Sequence, residues 1–440
     1  MSDPPQTRGE LRRRLLERYS ALRAFSLRLA EPLSAEDQGL QSMPDASPTR
    51  WHLAHTSWFF ETVILDALLP DYPPFDPRFR YFFNSYYETL GPRQPRPQRG
   101  LISRPGSNEV RHYRAHVDAA MAAFIAECDD VLWQRALPLV LLGLNHEQQH
   151  QELILTDIKH ALSMNAFDPV YREAEMPVVA AQPQAWCEFA GGEVQVGTDG
   201  SDNGFEFELT FAFDNEGPRH AVLLRPYCLA SRPVSCGEYL AFIADDGYAR
   251  PEFWLSDGWA LARAQGWEAP LYWRREGAGE WSEFTLHGRR AINPDAPVCH
   301  VNLYEAAAFA AWAGARLPTE QEWEAATAGL PTDTGRWLKD EPGAWLHPLP
   351  APAVQSAATG LQQCFGEVWE WTRSSYDPYP GFRPLPGAVA EYNGKFMVGQ
   401  LVLRGGSCAT PPGHIRPSYR NFFPPAARWQ FSGFRLARDA

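Results

Sequence analysis

Up to about residue 165 the apolar positions recur at the three- and four-residue steps of a helix. Leu11, Leu15, Tyr19, Leu22, Phe25 and Leu29 fall on one stripe and predict a first helix. Ser47 and Pro48 supply an N-cap and a first-turn proline for a second, running through Trp51, His55, Trp58, Phe59 and Val63. Ser107 caps a third that reaches about Cys128. A fourth runs from about Leu132 through Leu153 to Leu162, with a bend expected at Pro138. Four helices with one long connection, residues 70–105, predict a bundle with a Pro-, Tyr- and Arg-rich loop folded over one end.

Beyond this the pattern changes. From about Asn165 to Gln184 it fades into Pro, Ala and acidic residues, an interdomain connection. Short runs (GGEVQVGT, HAVLLRPYCLA, LVLRGGS) then alternate with Gly-, Pro- and Trp-rich irregular stretches, and a single clear helix, Tyr304 to Gly314, stands out. The fold class is therefore multidomain: an α domain over 1–170, a linker over 171–185, and an α+β domain over 186–440. A chain of 440 residues exceeds what a single core supports, which agrees with two domains.

Composition narrows the partners. A formal net charge of −13 with no run of consecutive basic residues argues against nucleic acid, because phosphate binding needs clustered Lys and Arg. The N-terminal stretch lacks the apolar core of a signal peptide, and no segment approaches 18 unbroken apolar residues, so no membrane span is expected and a cytoplasmic location is. The seven cysteines are scattered and unpaired in sequence, as reduced thiols would be. With 16 Trp, 16 Tyr and 25 Phe, the chain carries more rings than ordinary core filling requires, so aromatic-lined pockets are expected.

The sharpest local signal is the run Asn145-His146-Glu147-Gln148-Gln149-His150-Gln151-Glu152. His146 and His150 lie four apart on one helical face and can reach one metal ion. The same string satisfies H-E-x-x-H, the zinc-protease motif, with Glu147 as general base. A bundle completes a metal site from another helix, and the second helix offers His55 among Trp51, Trp58 and Phe59, with His52 as a possible substitute. A second i,i+4 pair, His112 and His116, sits among charged residues and reads as a solvated face. Three imidazoles suit iron(II), zinc or copper, and spacing leaves the metal open.

Taken together, SPTRWHLAHTSWFFE, the run His146-His150-Glu152, FNSYYE, YNGKFM, LRGGSCATPPGHIR, YRNFF and WQFSGFRLAR resemble the ergothioneine-pathway sulfoxide synthases, the hercynine oxygenase family. The resemblance covers nearly the whole chain. It implies a DinB-like bundle followed by a formylglycine-generating-enzyme-like domain of C-type-lectin topology. It implies Fe(II) held by His55, His146 and His150, and O2-dependent C–S bond formation between cysteine or gamma-glutamylcysteine and the imidazole of hercynine (N-alpha-trimethylhistidine). Gln149 matches the position that bonds the substrate imidazole. Phe422 and Phe423 match rings beside the trimethylammonium group, which favours aromatic faces. Arg93 and Arg96 are spaced to grip a carboxylate.

FNSYYE resembles the branch that uses free cysteine, with Tyr86 or Tyr87 as proton donor, preferably Tyr87, and Tyr379 in reserve. Adjacent tyrosines in an extended segment would point opposite ways, so only one would face the metal. The second half (NEGPRHAV, RPVSCGEYLAFI, ARLPTEQEWEAA, GEVWEWT, RGGS) separately resembles the sulfatase-modifying domain. Its cysteine pair is not matched, since Cys408 is alone and Thr410 and Ile415 stand at the pair's spacings. The alternatives are an ovothiol-type synthase, which often continues into a methyltransferase domain not seen here, a selenoneine-type synthase, a zinc metalloprotease, and a noncatalytic binding module.

Overall fold

The computed structural model describes residues 8–179, 181–199, 211–277, 279–352 and 359–440. It divides into two units, each with its own core. The first comprises Met1–Met164 together with Asp199–Asp214 and Arg383–Gly394; the second comprises Asn165–Thr198, Asn215–Phe382 and Lys395–Ala440.

The four expected helices are present in the first unit. The first, Arg8–Ala30, buries Leu11, Leu15, Tyr19, Leu22 and Leu29. Phe25 is only half-buried, and the polar Arg23 and Ser26 occupy the buried stripe beside it. The second helix, Thr49–Phe60, buries every residue except Arg50 and continues into one wider turn, Glu61–Leu65. Its N-cap is Pro48 and makes no side-chain bond. Ser47, the expected cap, instead ties the helix start to other elements. Its N–H donates to Asp157 (2.8 Å) and its hydroxyl accepts from Arg99 (2.9 Å).

The third helix, Ser107–Glu127, is capped by Gly106, with Ser107 as its first residue rather than its cap. The fourth, Asp130–Ser163, is capped by Asp129, which accepts from the Leu132 N–H at 2.8 Å, and it continues through Pro138. Gly143 marks where the second and fourth helices cross. A Cβ there would lie 2.6 Å from Phe60 Cε1, so only glycine permits this approach. The close crossing brings His146, one turn further on, towards the second helix.

In the second unit, short strands explain why the sequence reads as irregular. The largest sheet has the order Asn421–Phe423, Leu401–Arg404, Trp369–Ser375, Ser432–Gly433, with the last pair parallel. A three-stranded sheet places Tyr227–Ala230 between Trp186–Phe189 and Ala437–Asp439. Gly192–Val196 pairs with His220–Leu224, and a meander joins Trp273–Arg275, Trp281–Thr285 and Gly288–Ala291.

The expected helix is observed as Leu303–Trp312, and Cys236–Ala244, Ser256–Gln265 and Glu320–Thr327 are helices the periodicity did not predict. Three of these four begin with reciprocal capping boxes, Ser235/Glu238, Asn302/Glu305 and Thr319/Glu322. Buried ion pairs knit this core: Arg435 to Glu370, Arg420 to Glu320, and Arg404 to Glu320 and Glu324.

Candidate metal centre

His55 comes from the second helix, His146 and His150 from the fourth, and all three are buried. One ring nitrogen from each lies within 4.8 Å of the others, the only such group of His, Cys or carboxylate residues among those described. His55 Nε2 and His146 Nε2 are 3.1 Å apart. Two neighbouring ligands at metal–nitrogen distances of about 2.1 Å and right angles stand about 3 Å apart, so the spacing fits a shared ion. Trp51 stacks on His55 (4.6 Å, 12° between planes), and Phe59 packs against His146 (4.8 Å).

The electrostatics favour neutral donors. Burial, followed by the neighbouring imidazole of His146, holds His55 and His150 well below the usual histidine range; burial pushes His146 down to about 3. Neutral imidazole is the form that ligates metal.

His55 donates its Nδ1–H to the Phe83 carbonyl (2.6 Å), which leaves the Nε2 lone pair for the cluster. His52, the possible substitute ligand, lies one step outward, its Nδ1 2.8 Å from His150 Nδ1 and its Nε2 3.1 Å from Asp157. His112 is exposed and His116 half-buried, with His116 Nε2 3.3 Å from the Pro73 carbonyl, outside the cluster.

Glu147 overturns the protease alternative. Its carboxylate is fully buried and accepts from Arg23 (2.9 Å), Arg114 (2.8 Å) and the Ser26 hydroxyl (2.6 Å). Burial acts to raise its pKa, but the two guanidiniums prevail and hold it at about 2. A carboxylate so held cannot take up protons as a general base near neutrality. These polar partners are the Arg23 and Ser26 that interrupt the first helix's apolar stripe.

The crossing loop is anchored by FNSYYE. Phe83 offers its carbonyl to His55, and buried Asn84 donates to the carbonyls of Tyr87 (3.0 Å) and Gly91 (3.2 Å) while accepting from the Tyr87 N–H (3.1 Å). The resulting bend makes the Tyr86 and Tyr87 rings stack at 4.7 Å, correcting the expectation that they point opposite ways; the segment is not extended there. Tyr87 is fully buried, packing on Trp58 (5.5 Å) and on Phe59 (6.5 Å), the ring that also packs against His146. Burial raises both phenols above the ordinary tyrosine value.

Arg93 pairs with Glu88 at 2.6 Å, and Arg96 donates to the Asp45 carbonyl from an exposed position, so each guanidinium already has its own partner. The neighbouring Arg99, which spacing did not single out, is the buried one, its guanidinium 3.5 Å over the Trp51 ring.

Gln149 is half-buried and accepts from the hydroxyl of Tyr392, a neighbour of the histidine cluster that helical spacing could not reveal. The segment Arg383–Gly394 carries Tyr392 into the first unit, where its ring lies 5.7 Å from His146 and stacks on Phe213 (5.4 Å). The signal was present in YNGKFM but carried no chemistry of its own. Glu391 adds to the anchoring, accepting from the N–H groups of Glu88 (3.1 Å) and Thr89 (2.9 Å).

Within the second unit, Phe422 stacks on Tyr376 at 4.0 Å and Phe423 packs edge-on to Trp429 at 6.0 Å. Neighbours on a strand face opposite ways, so each ring addresses a different side. The Tyr379 hydroxyl donates to Glu320 (3.2 Å) and accepts from Arg404 (3.2 Å), inside the buried ion cluster. All seven cysteines are free, and Cys408 is buried. No helix among the described residues is long and apolar enough to cross a membrane.

Residues 18–154 match the DinB superfamily, and residues 175–440 match the sulfatase-modifying factor enzyme 1-like domain. The chain is 34% identical to the hercynine oxygenase of Mycolicibacterium smegmatis, over 97% of this chain and 99% of that protein. It is also 34% identical to the hercynine oxygenase of Mycobacterium tuberculosis, over 95% and 96% respectively. The formylglycine-generating enzyme of Streptomyces coelicolor is 30% identical but spans 61% of this chain, in keeping with a shared second domain. A three-histidine centre in a DinB-type bundle, joined to a sulfatase-modifying-type domain and matched end to end by these relatives, places the chain in the hercynine oxygenase family.

Proposed function

We propose that the protein is an iron(II)- and O2-dependent sulfoxide synthase joining cysteine to hercynine, with His55, His146 and His150 as the metal ligands. The observation that carries this reading is the convergence of three buried, neutral imidazoles in a group whose ligand atoms lie within 4.8 Å. Neutral donors leave an iron(II) ion its full double charge and open positions for a thiolate and an imidazole. Iron(II), when bound, supplies the activation of O2.

The overall change balances as thiol plus imidazole C–H plus O2 giving the sulfoxide plus water. One oxygen atom goes to sulfur; the other takes the thiol and ring hydrogens. The protein's own groups decide whether that outcome prevails over cysteine sulfinate, in which both oxygens end on sulfur. Tyr86 and Tyr87 stay protonated at neutral pH and so can donate a proton. Tyr87 is the favoured donor.

Gln149 and Tyr392 present an amide and a hydroxyl to hold the hercynine imidazole, Phe422 or Phe423 offers a ring face to its trimethylammonium group, and Arg93 and Arg96 are candidates for the thiol substrate's carboxylate, which would have to displace Glu88 from Arg93 and the Asp45 carbonyl from Arg96. Phe423 carries no charge with which to hold a glutamyl amine, which favours cysteine over gamma-glutamylcysteine. The test is to reconstitute the protein anaerobically with iron(II), add hercynine and either thiol, and measure O2 uptake and products by mass spectrometry. Sulfoxide from cysteine is expected. Tyr87→Phe should shift product towards cysteine sulfinate at matched O2 uptake; stoichiometric zinc with no O2 uptake, or equal use of histidine and hercynine, would overturn the reading.

A further inference from the structure

Resting on the three-histidine reading of the metal centre, we infer that His52 and Asp157 form a positioning relay that fixes which nitrogen of His150 faces the metal and places a buried negative charge behind it. Asp157 is 5% exposed, and its Oδ2 accepts from the Ser47 N–H at 2.8 Å and lies 3.1 Å from His52 Nε2. An ionised carboxylate only accepts, so the proton between them belongs to His52 Nε2. Neutral His52 then carries a lone pair on Nδ1. That atom is 2.8 Å from His150 Nδ1, and one of the two must donate. His52 cannot, so His150 Nδ1 holds the hydrogen and His150 Nε2 is left as the donor atom.

The same logic operates at His55 through the Phe83 carbonyl, a neutral acceptor. His150 differs in that its chain of bonds ends on a full negative charge. Second-helix residues 52 and 55 are three apart and fourth-helix residues 150 and 157 seven apart, so each helix presents ligand and relay residue on one face. With three neutral ligands the ion has no anionic protein donor, and Asp157 is the carboxylate placed to offset its charge through hydrogen bonds rather than by coordination.

The experiment titrates metal-free full-length protein and its variants with cobalt(II) chloride, reading both affinity and the visible ligand-field bands. His52→Leu removes the acceptor for His150 and should weaken cobalt binding by about 10–100-fold, the usual effect of losing an outer partner of a ligand histidine. In His52→Asn the side-chain oxygen falls near the Nδ1 position and can accept from His150, so most of the affinity should return. Asp157→Asn keeps an acceptor for His52 but removes the charge; it should bind more weakly than wild type and shift the bands, which a purely structural role would not do. His52→Leu binding within about twofold of wild type with unchanged bands would overturn the relay, as would His52→Asn binding no better than His52→Leu. Should His52→Leu fail to fold, unchanged affinity and bands in Asp157→Asn would overturn it instead. Absence of cobalt binding by wild-type protein would sink the metal-centre reading itself, a distinct result.

Discussion

Glu147 adjoins His146, a candidate metal ligand, yet its energetic partners are Arg23 and Arg114, and its worth lies in what its loss would leave behind. Replacing it by Gln strands two buried guanidiniums, of which only Arg23 keeps another carboxylate, Asp118. Breaking a buried ion pair this way costs about 3–5 kcal/mol, so Glu147→Gln should lower the unfolding free energy by about that much in urea denaturation.

Protonation gives a second test at this scale. A histidine whose folded pKa is depressed takes up a proton on unfolding at acid pH, so stability is intact above the unfolded value near 6.5 and falls as pH drops below it. For His146 the fall continues to about pH 3, at up to about 1.4 kcal/mol per pH unit, with His55 and His150 adding in the same direction. Metal-free protein unfolded in urea between pH 7 and 5 should show this slope, and a flat profile would mean the imidazoles are charged or exposed. H-E-x-x-H in the sequence could not distinguish protease from bundle, because the answer lay in Arg23 and Ser26 on another helix. Their intrusion into an apolar stripe was the readable clue.

The long crossing loop shows what local sequence conceals. Helical periodicity exposed all four bundle helices, but residues 70–105 have no period, and their order comes from long-range bonds. Glu61 accepts from Tyr113 (2.7 Å), Tyr72 (3.0 Å) and the Phe75 N–H (3.1 Å), fixing the near end, while Asn84 fixes the turn that bears the tyrosines. Asn84→Ala would leave buried backbone groups unpaired at a cost of about 1–3 kcal/mol. The loosened turn should also release Tyr87, so this variant is expected to raise the sulfinate fraction without touching a reacting group, as product analysis can check. In the second unit, strands of two to seven residues were too short to show alternation. Of the three helices that periodicity missed, Cys236–Ala244 and Glu320–Thr327 were visible through their S/T-x-x-E caps, whereas Ser256–Gln265 has no side-chain cap to announce it.

At the scale of the whole chain, every candidate ligand comes from the first unit. Metal present at about 100 times its dissociation constant adds about 2.7 kcal/mol to the state that binds it. Hydrogen exchange should therefore slow up to about 100-fold in Thr49–Phe60 and Asp130–Ser163, with no comparable change in Leu401–Arg404. Equal slowing of that strand would show that the ion stabilises both units together.

The segment Arg383–Gly394 has a consequence for anyone exchanging modules between relatives. It is encoded within the second half of the gene yet packs with the helices, supplying Tyr392 to Gln149 and Glu391 to the loop at Glu88 and Thr89. A chimera cut once, in the connection near residue 170, inherits its bundle from one parent and this insert from the other. Swapping the bundle, Asp199–Asp214 and this insert together keeps the first unit matched, so what must be inherited as one piece is three separate stretches of sequence.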